Sequence, residues 1–233
     1  MTSPRAARLL DDATLEASTV VANNAMNRER GLTGANSYAK ELGLDPYEFL
    51  LDRVEGGRAP AWLDLCCGSG RALIHAAGRF ATEHPDADVT IIGVDLVDYF
   101  ATPVRPPGLE LVAASLANWE PARAFDLITC VHGLHYIGDK LGLLARALSW
   151  LAPDGLFVAD FDADSIRHAD GRSAKREAAA ALASAGAEYD PRRRRVTCQG
   201  PRTLRTPAVY IGADDGAGPG YTGQPAVDSY YDY

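Results

Sequence analysis

Two glycines and one aspartate, each placed at the end of a short apolar segment, could bind a ligand. Gly68 and Gly70 follow the segment 61–67, and Asp95 lies 25 residues after Gly70, in the segment 89–96. Glycine lets the backbone approach a ligand closely, and the free N–H groups at the start of a following helix attract polar groups. A carboxylate at the end of the next strand can accept two hydrogen bonds from a ribose diol. The pattern therefore predicts a site for a ribose-containing ligand.

Two classes of ribose-containing cofactor compete for such a loop. A dinucleotide requires GxGxxG, whose third glycine allows close helix packing, but the sequence from Gly68 is GSGRAL, with Leu73 at the third position. Asp64 lies at the end of the first strand, before the glycines, where its carboxylate sits poorly against a pyrophosphate. The same carboxylate suits a ligand that carries an ammonium and a sulfonium group. The residues favour a cofactor that carries an ammonium and a sulfonium group. The alternative is a dinucleotide cofactor, which would make the protein a nicotinamide-dependent oxidoreductase.

The elements that position these residues alternate along the middle of the chain. Five short apolar segments predict buried strands: 61–67, 89–96, 109–114, 125–131 and 156–161. Amphipathic segments predict three helices among them: 71–80, 140–151 and 173–185. Strands that alternate with helices predict an α/β fold, with a parallel sheet and helices on both faces.

The two ends of the chain differ from this middle region. Residues 1–55 are polar and helix-prone, which predicts an N-terminal helical cap, and residues 56–211 form the predicted cofactor-binding core. Within the core, the segments 193–199 and 204–211 predict an antiparallel hairpin at the edge of the sheet. Residues 212–233 are rich in glycine, aspartate and tyrosine. This C-terminal tail is interpreted as a cover over the site, a partner contact or a disordered segment.

The composition is that of an ordinary globular protein. The chain has 233 residues, of which 47% are hydrophobic and 23% charged, so it allows one full-size domain with a small appendage. Lys and Arg number 23 against 31 Asp and Glu, giving a formal net charge of −8, which argues against a protein that mainly grips nucleic-acid phosphate. The sequence shows no membrane-spanning apolar segment and no secretory signal, so we expect a cytoplasmic protein.

The cysteines and the acidic residues predict no metal centre. Four cysteines without a CxxC pair form neither a zinc site nor a disulfide framework, and we expect reduced, mostly buried thiols. Asp160, Asp162 and Asp164 alternate as in a calcium loop, but Ser165 and Gly171 occupy the places of the required glycine and glutamate.

Five motifs of the middle region, taken together, resemble those of the class I S-adenosylmethionine-dependent methyltransferases. WLDLCCGSG resembles their DxGxGxG motif, with Cys66 in place of the first glycine, and GVDL resembles the motif with the ribose-binding acid. LVAASLANW resembles the adenine-contacting segment, with Ser115 in place of the usual aspartate. FDLITCVHGLHYI and LSWLAPDGLFVADF resemble the fourth-strand motif and a later helix–strand junction. The resemblance covers about residues 60–165 and implies a Rossmann-like, seven-stranded, mostly parallel sheet.

The resemblance also implies a cofactor, S-adenosyl-L-methionine, and the residues that hold it. Asp64 and the glycine loop would cradle the methionine part, Asp95 would hold the ribose, and the segment around Ser115 would flank the adenine. The implied cofactor-binding residues are Tyr38, Asp64, Cys66, Gly68, Gly70, Asp95, Leu96, Ser115, Leu116 and Val131.

Methyl transfer is an in-line displacement at a sulfonium methyl, and the acceptor often has to lose a proton. The residues after the fourth strand would lie near that methyl, which makes His132 and His135 candidate catalytic bases for an O–H or N–H acceptor. The alternative for either histidine is a packing role. The predicted substrate-binding residues are Asn27, Arg30, Asn36 and Tyr136.

The predicted function is therefore methylation of an oxygen or nitrogen atom of a small molecule, with secondary metabolism as one setting. The (D/N)PPY motif of amino-directed nucleic-acid methyltransferases is absent after the fourth strand, where this chain has VHGL. We expect neither a nucleic-acid nor a membrane partner, and a homodimer stays open. Two alternatives remain: a methyltransferase fold that only binds or catalyses another reaction, and the nicotinamide-dependent oxidoreductase.

Overall fold

The computed structural model describes residues 8–22 and 29–233. The strands within these ranges are β1 (Ala61–Leu65), β2 (Thr90–Asp95), β3 (Leu109–Ala113), β4 (Phe125–Cys130), β5 (Leu151–Asp160), β6 (Ile166–His168), β7 (Glu188–Asp190), β8 (Arg195–Gln199), β9 (Val209–Asp214) and β10 (Asp228–Asp232). The α-helices are α1 (Asp12–Glu16), α2 (Thr19–Ala22), α3 (Tyr38–Leu42), α4 (Pro46–Glu55), α5 (Arg71–Glu83), α6 (Lys140–Ser149) and α7 (Lys175–Ser184). Among the described residues, we find no helix whose length and apolar character would let it span a membrane.

The main sheet has seven strands in the order β3-β2-β1-β4-β5-β8-β7. Strands β1 to β5 are parallel to one another, whereas β8 is antiparallel to both β5 and β7. This arrangement confirms the predicted seven-stranded, mostly parallel sheet. The strand order reverses between β1 and β4, and ligands of open α/β sheets bind beyond the carboxyl ends of the strands at such a point.

The antiparallel hairpin at the sheet edge is present, but one of its two predicted strands is wrong. Strand β8 lies in the predicted segment 193–199, and its hairpin partner is β7 rather than the segment 204–211. Residues 191–194 form the short turn between β7 and β8. With β5 on one edge and β7 on the other, β8 has no free edge on which the segment 204–211 could pair. The end of the segment 204–211 instead begins β9, which lies outside the main sheet.

Strands β6, β10 and β9 form a second, three-stranded sheet. Strand β9 runs across the predicted boundary at residue 211, and β10 lies inside the predicted tail, so eight of the residues 212–233 lie in strands. Lys140 of α6, 1% exposed, donates hydrogen bonds to the Val227 carbonyl at 2.7 Å and to Ser229 Oγ at 2.8 Å. The Val227 N–H donates to the His135 carbonyl at 2.9 Å. These bonds fix the C-terminal segment to the residues that follow β4.

In its described residues, the N-terminal region contains the helices α1 to α4. Helix α4 begins where Asp45 accepts a hydrogen bond from the Tyr47 N–H at 2.9 Å and where Pro46 occupies the first turn. Buried Tyr47 and Leu50 of α4 belong to the hydrophobic core that also contains Trp62 of β1. Helix α4 is therefore packed on the main sheet, whereas Leu15 of α1 packs against Ala213 of β9 and Val227.

Candidate active site

A cavity lies at the carboxyl ends of the parallel strands, between the glycine loop, the segment after β4 and the helices α1 and α2. It encloses about 1100 Å³, including its open mouth. Predicted site residues that line it are Cys66, Gly68, Asp95, Leu96, Leu116, Val131, His132 and Tyr136. Lining residues that the sequence analysis missed include four from the cap: Asp12, Leu15, Glu16 and Val21.

Non-glycine residues with a left-handed backbone cluster at this site. In the described part of the chain they are Cys66 (φ 58°), His132 (φ 56°) and Arg194 (φ 49°). This conformation costs a non-glycine residue about 1–2 kcal/mol. Backbone strain of this kind collects at functional sites, where the surrounding structure holds it in place. Cys66 and His132 line the cavity, and the Arg194 guanidinium lies over the ring of Tyr221, whose hydroxyl is 3.2 Å from His132 Nδ1.

Cys66, the residue that replaces the first motif glycine, is accommodated by Gly133 on the opposite side. Cys66, Gly68 and Gly70 all have positive φ, so the loop follows the backbone course that the glycine motif predicts. A Cβ atom at Gly133 would lie 2.3 Å from the Cβ of Cys66. The missing side chain at Gly133 therefore leaves the space that the Cys66 side chain fills.

Asp95 is held in place by the glycine loop. Its Oδ2 accepts a hydrogen bond from the Gly68 N–H at 2.9 Å, and its Oδ1 accepts one from the Val97 N–H at 3.1 Å. The Asp95 side chain also lines the cavity. Asp95 therefore has the position at the end of β2 that a ribose-binding acid requires.

Asp64 is fully buried and faces away from the cavity. It accepts hydrogen bonds from Tyr38 Oη at 2.6 Å and from Thr129 Oγ1, which itself accepts one from Trp62 Nε1 at 2.8 Å. Burial raises the pKa of Asp64 from 3.8 to about 7, although the bonds from Thr129 and Tyr38 lower it. Burial and the charge of Asp64 also hold the pKa of Tyr38 well above its usual range. The structure thus brings Tyr38 and Asp64 together in a network beneath the glycine loop.

The network makes stability depend on pH through Asp64. Because its pKa is higher in the folded than in the unfolded chain, the folded state holds a proton that the unfolded state has released between about pH 4 and 7. The free energy of unfolding should therefore fall as pH rises through this window. Asp64→Asn should remove that part of the slope, as measured by urea unfolding at several pH values. The exposed Asp98→Asn is the control, and equal slopes for Asp64→Asn and the wild type would contradict the assignment.

Ser115 connects helix α1 to the segment that is predicted to flank the adenine. Its Oγ donates a hydrogen bond to Glu16 Oε1 of α1 at 2.5 Å and accepts one from the Ala117 N–H at 3.1 Å. The neighbouring Ala114, Leu116 and Ala117 line the cavity, whereas Ser115 is not among its lining residues. Ser115 therefore ties α1 to the cavity wall.

Both ring nitrogens of His132 face protein groups. Its Nε2 lies 3.4 Å from Glu41 Oε2 of α3, and its Nδ1 lies 3.2 Å from Tyr221 Oη. Asp160, at the end of β5, accepts the His132 backbone N–H at 3.2 Å and lies 3.7 Å from Nδ1. One carboxylate from the cap and one from the sheet therefore flank this imidazole. Sequence analysis missed Glu41, because no local pattern connects α3 with the end of β4.

His135 is in a different environment from His132. The side chain is 3% exposed, its ring stacks on that of His132 with centroids 5.7 Å apart, and its Nε2 has no hydrogen-bond partner. Burial, and secondarily the charge of His132, lowers the pKa of His135 to about 3. His135 is therefore a neutral, packed imidazole near pH 7.

The predicted substrate residues do not all meet at the cavity. Tyr136 lines it, Arg30 lies 3.6 Å from Glu41 in an ion pair, and Asn36 is exposed in the loop before α3. Asn27 lies outside the described residues.

Glu41, His132 and Asp160 together offer three ligand atoms within 4.8 Å of one another, a spacing that could hold a cation. No local sequence pattern predicts this combination, because its members lie far apart along the chain. Arg30 and Arg195 also approach Glu41, through its carboxylate and its backbone carbonyl respectively. These guanidinium groups already offset the acidic charge at this place.

A family model described as a methyltransferase domain matches residues 35–202. The chain belongs to the class I S-adenosylmethionine-dependent methyltransferases. The match includes the glycine loop, Asp95 and the segment after β4, and it confirms the resemblance predicted from the motifs.

Curated relatives of this methyltransferase include two enzymes named trans-aconitate 2-methyltransferase. The one from Acidovorax sp. (strain JS42) is 32% identical over 111 residues, which are 47% of this chain and 41% of the relative. The one from Escherichia coli (strain K12 / DH10B) is 30% identical over 111 residues, 47% of this chain and 42% of the relative. The match spans less than half the length of these relatives.

Solved structures similar to this methyltransferase are matched over about half of the chain. A SAM-bound amino pentose methyltransferase from Micromonospora echinaspora is 27% identical, with 50% of this chain and 49% of that chain covered and a TM-score of 0.36. Coclaurine N-methyltransferase, bound to N-methylheliamine and SAH, is 19% identical, with 57% and 39% covered and a TM-score of 0.39.

The packing of α5 in this methyltransferase differs from that of a dinucleotide-binding loop. Leu73 occupies the position of the third dinucleotide glycine, and the close approach of helix and strand depends instead on Gly93 of β2. A Cβ atom at Gly93 would lie 2.7 Å from Leu73 Cδ2. The helix thus carries the large side chain and the strand the glycine, the reverse of the dinucleotide arrangement.

Proposed function

We propose that this methyltransferase transfers a methyl group from S-adenosyl-L-methionine to an oxygen or nitrogen atom of a small molecule. The observation that carries the proposal is the position of Asp95, which lines the cavity while the Gly68 N–H fixes its carboxylate. The curated relatives are named for trans-aconitate, which supports a small-molecule acceptor.

The residues around the cavity fit this cofactor. Asp95 would accept the ribose hydroxyls, and Leu96, Leu116 and Val131 offer an apolar surface for the adenine. Gly68, at φ 60°, lets the backbone approach the methionine part closely. Asp64 would act through Tyr38 and Thr129, by holding β1, β4 and the cap together beneath the loop.

When bound, the cofactor supplies an electrophilic methyl group on a sulfonium centre. We assign removal of the acceptor's proton to His132, because this imidazole lines the cavity and has a carboxylate at each nitrogen to stabilise its protonated form. We assign a packing role to His135, because its low pKa of about 3 prevents it from holding a proton near pH 7. Helices α1 and α2 would exclude water from the cavity.

This assignment also gives each region of the chain a role in binding the cofactor or the substrate. Residues 56–211 would supply the glycine loop and Asp95 for the cofactor, and α1 and α2 of the cap, residues 1–55, would close that cavity. Other parts of the cap and the tail, residues 212–233, would select the substrate. In support, Glu41 of the cap and Tyr221 of the tail both contact His132.

Calorimetric titration separates this proposal from the nicotinamide alternative. The protein should bind S-adenosyl-L-methionine and its demethylated product, and should bind NAD at least about tenfold more weakly, because Leu73 fills the position of the third dinucleotide glycine. Binding of NAD without binding of S-adenosyl-L-methionine would overturn the proposal. A panel of small hydroxyl, amine and carboxylate acceptors would then identify the accepting atom.

A further inference from the structure

The side chain of Tyr221 lies in a small aromatic site next to the cofactor cavity. Its ring is 5.1 Å from the ring of His135 in an edge-to-face arrangement and 6.1 Å from the ring of His132. The guanidinium of Arg194 lies over its face, with Cζ 4.3 Å from the centroid. Edge-to-face and cation–π contacts of this kind select an aromatic ring in general, whichever molecule supplies it.

The hydroxyl of Tyr221 points at the imidazole to which we assign proton removal. It lies 3.2 Å from His132 Nδ1, and the other nitrogen, Nε2, lies 3.4 Å from Glu41 Oε2. When a carboxylate accepts a hydrogen bond from the Nε2–H group, Nδ1 is left as the acceptor for a hydroxyl. Carboxylate, histidine and hydroxyl stand in the same order in a catalytic triad. Tyr221 Oη thus lies where the hydroxyl of an acceptor would lie.

The ring of Tyr221 can leave this site without unfolding its surroundings. It is 37% exposed, and it belongs to the connection between β9 and β10. That connection is held by its own backbone bonds, from the Gly220 N–H to the Gln224 carbonyl at 2.8 Å and from the Gly223 N–H to the Gly220 carbonyl at 2.9 Å. A change of side-chain rotamer toward solvent would leave these backbone bonds intact.

We propose that Tyr221 is a built-in occupant of the acceptor subsite and that the acceptor is a phenol, an aromatic ring whose hydroxyl takes the place of Tyr221 Oη. This rests on the proposed function. The oxygen–methyl bond forms as the methyl–sulfur bond breaks, the bonding electrons stay on sulfur, and the phenolic proton goes to His132 Nδ1. Glu41 and Asp160 stabilise the resulting imidazolium.

The test is binding of p-cresol, the side chain of tyrosine as a free molecule, to Tyr221→Ala. Ligand-observed NMR should show p-cresol bound to this variant, with toluene bound about tenfold more weakly because it lacks the hydroxyl that faces His132. Wild type should bind p-cresol more weakly than the variant, because Tyr221 competes for the same place. Tyr221→Phe, which keeps the ring, should resemble wild type in this respect.

The matched control is Tyr233→Ala. Tyr233 is 40% exposed and packs on a histidine, His168, at 4.7 Å, but it is not among the residues that line the cavity. This variant should show no gain in p-cresol binding. Equal binding of p-cresol and toluene by Tyr221→Ala, or no binding of p-cresol, would overturn the proposal.

A second measurement covers the case in which Tyr221→Ala does not fold. Wild-type enzyme supplied with cofactor should methylate p-cresol more efficiently than the similarly shaped benzylamine, and the reverse order would overturn the phenol assignment. The calorimetric titration with the cofactor contains no phenol, so it tests the proposed function independently of the phenol inference. Cofactor binding without p-cresol binding would therefore refute this inference alone.

Discussion

His132→Ala should lower kcat by about 10²–10⁴-fold, the usual contribution of a positioned general base, while the affinity for the cofactor changes little. The reason is that the imidazole lines the cavity with one carboxylate near each of its nitrogens, whereas the cofactor would be held by the glycine loop and Asp95. Steady-state rates should be measured with an acceptor whose oxygen or nitrogen carries a proton. Cofactor affinity comes from calorimetry on the same preparation.

A second histidine–carboxylate pair provides the control for His132. His168 Nε2 lies 3.4 Å from Glu177 Oε1, and neither residue is among those that line the cavity. His168→Ala should leave the rate unchanged. Glu41→Gln should lower the rate by less than His132→Ala, because it weakens the base without removing it. Unchanged turnover in His132→Ala would eliminate this residue as the base.

Asp95→Ala should weaken S-adenosyl-L-methionine binding by about 1–3 kcal/mol, or about 5–150-fold, because the ribose hydroxyls would lose their acceptor. The change also removes the acceptor for the Gly68 N–H, which holds the glycine loop. Calorimetry measures the affinity directly. Asp98→Ala, an exposed carboxylate three residues further on, should bind the cofactor as wild type does. An unchanged affinity in Asp95→Ala would refute the ribose assignment.

The main sheet could be predicted because its strands are marked locally. Each of the first four predicted strands contains the observed one, since buried parallel strands are short, continuous apolar runs. The shorter strands have no such continuous apolar run in the sequence. Strand β7 is the three residues Glu188–Asp190, and β10 is rich in tyrosine and aspartate. Their pairing depends on neighbours far away in the sequence, which a local pattern does not contain.

The candidate site was predictable on the cofactor side and only in part on the acceptor side. Gly68, Asp95 and His132 lie at the carboxyl ends of strands or within three residues of them, so the topology alone places them at one edge of the sheet. Glu41 comes from the cap, and Tyr221 from a loop between strands of the second sheet. The sequence indicated a tyrosine-rich cover, but not which tyrosine reaches His132. Asp64 matches its motif position, but its carboxylate accepts hydrogen bonds from Tyr38 and Thr129 and does not line the cavity.

The position of β10 sets an order of assembly. All seven strands of the main sheet precede residue 200, so a chain still emerging from the ribosome could complete that sheet before β10 exists. Lys140 and the His135 carbonyl acquire their partners, Val227 and Ser229, only when β10 docks. Tyr221 reaches His132 in the same step. The glycine loop and Asp95 can thus reach their places early during synthesis, whereas α1, whose Leu15 packs with Ala213 and Val227, and Tyr221 take theirs last.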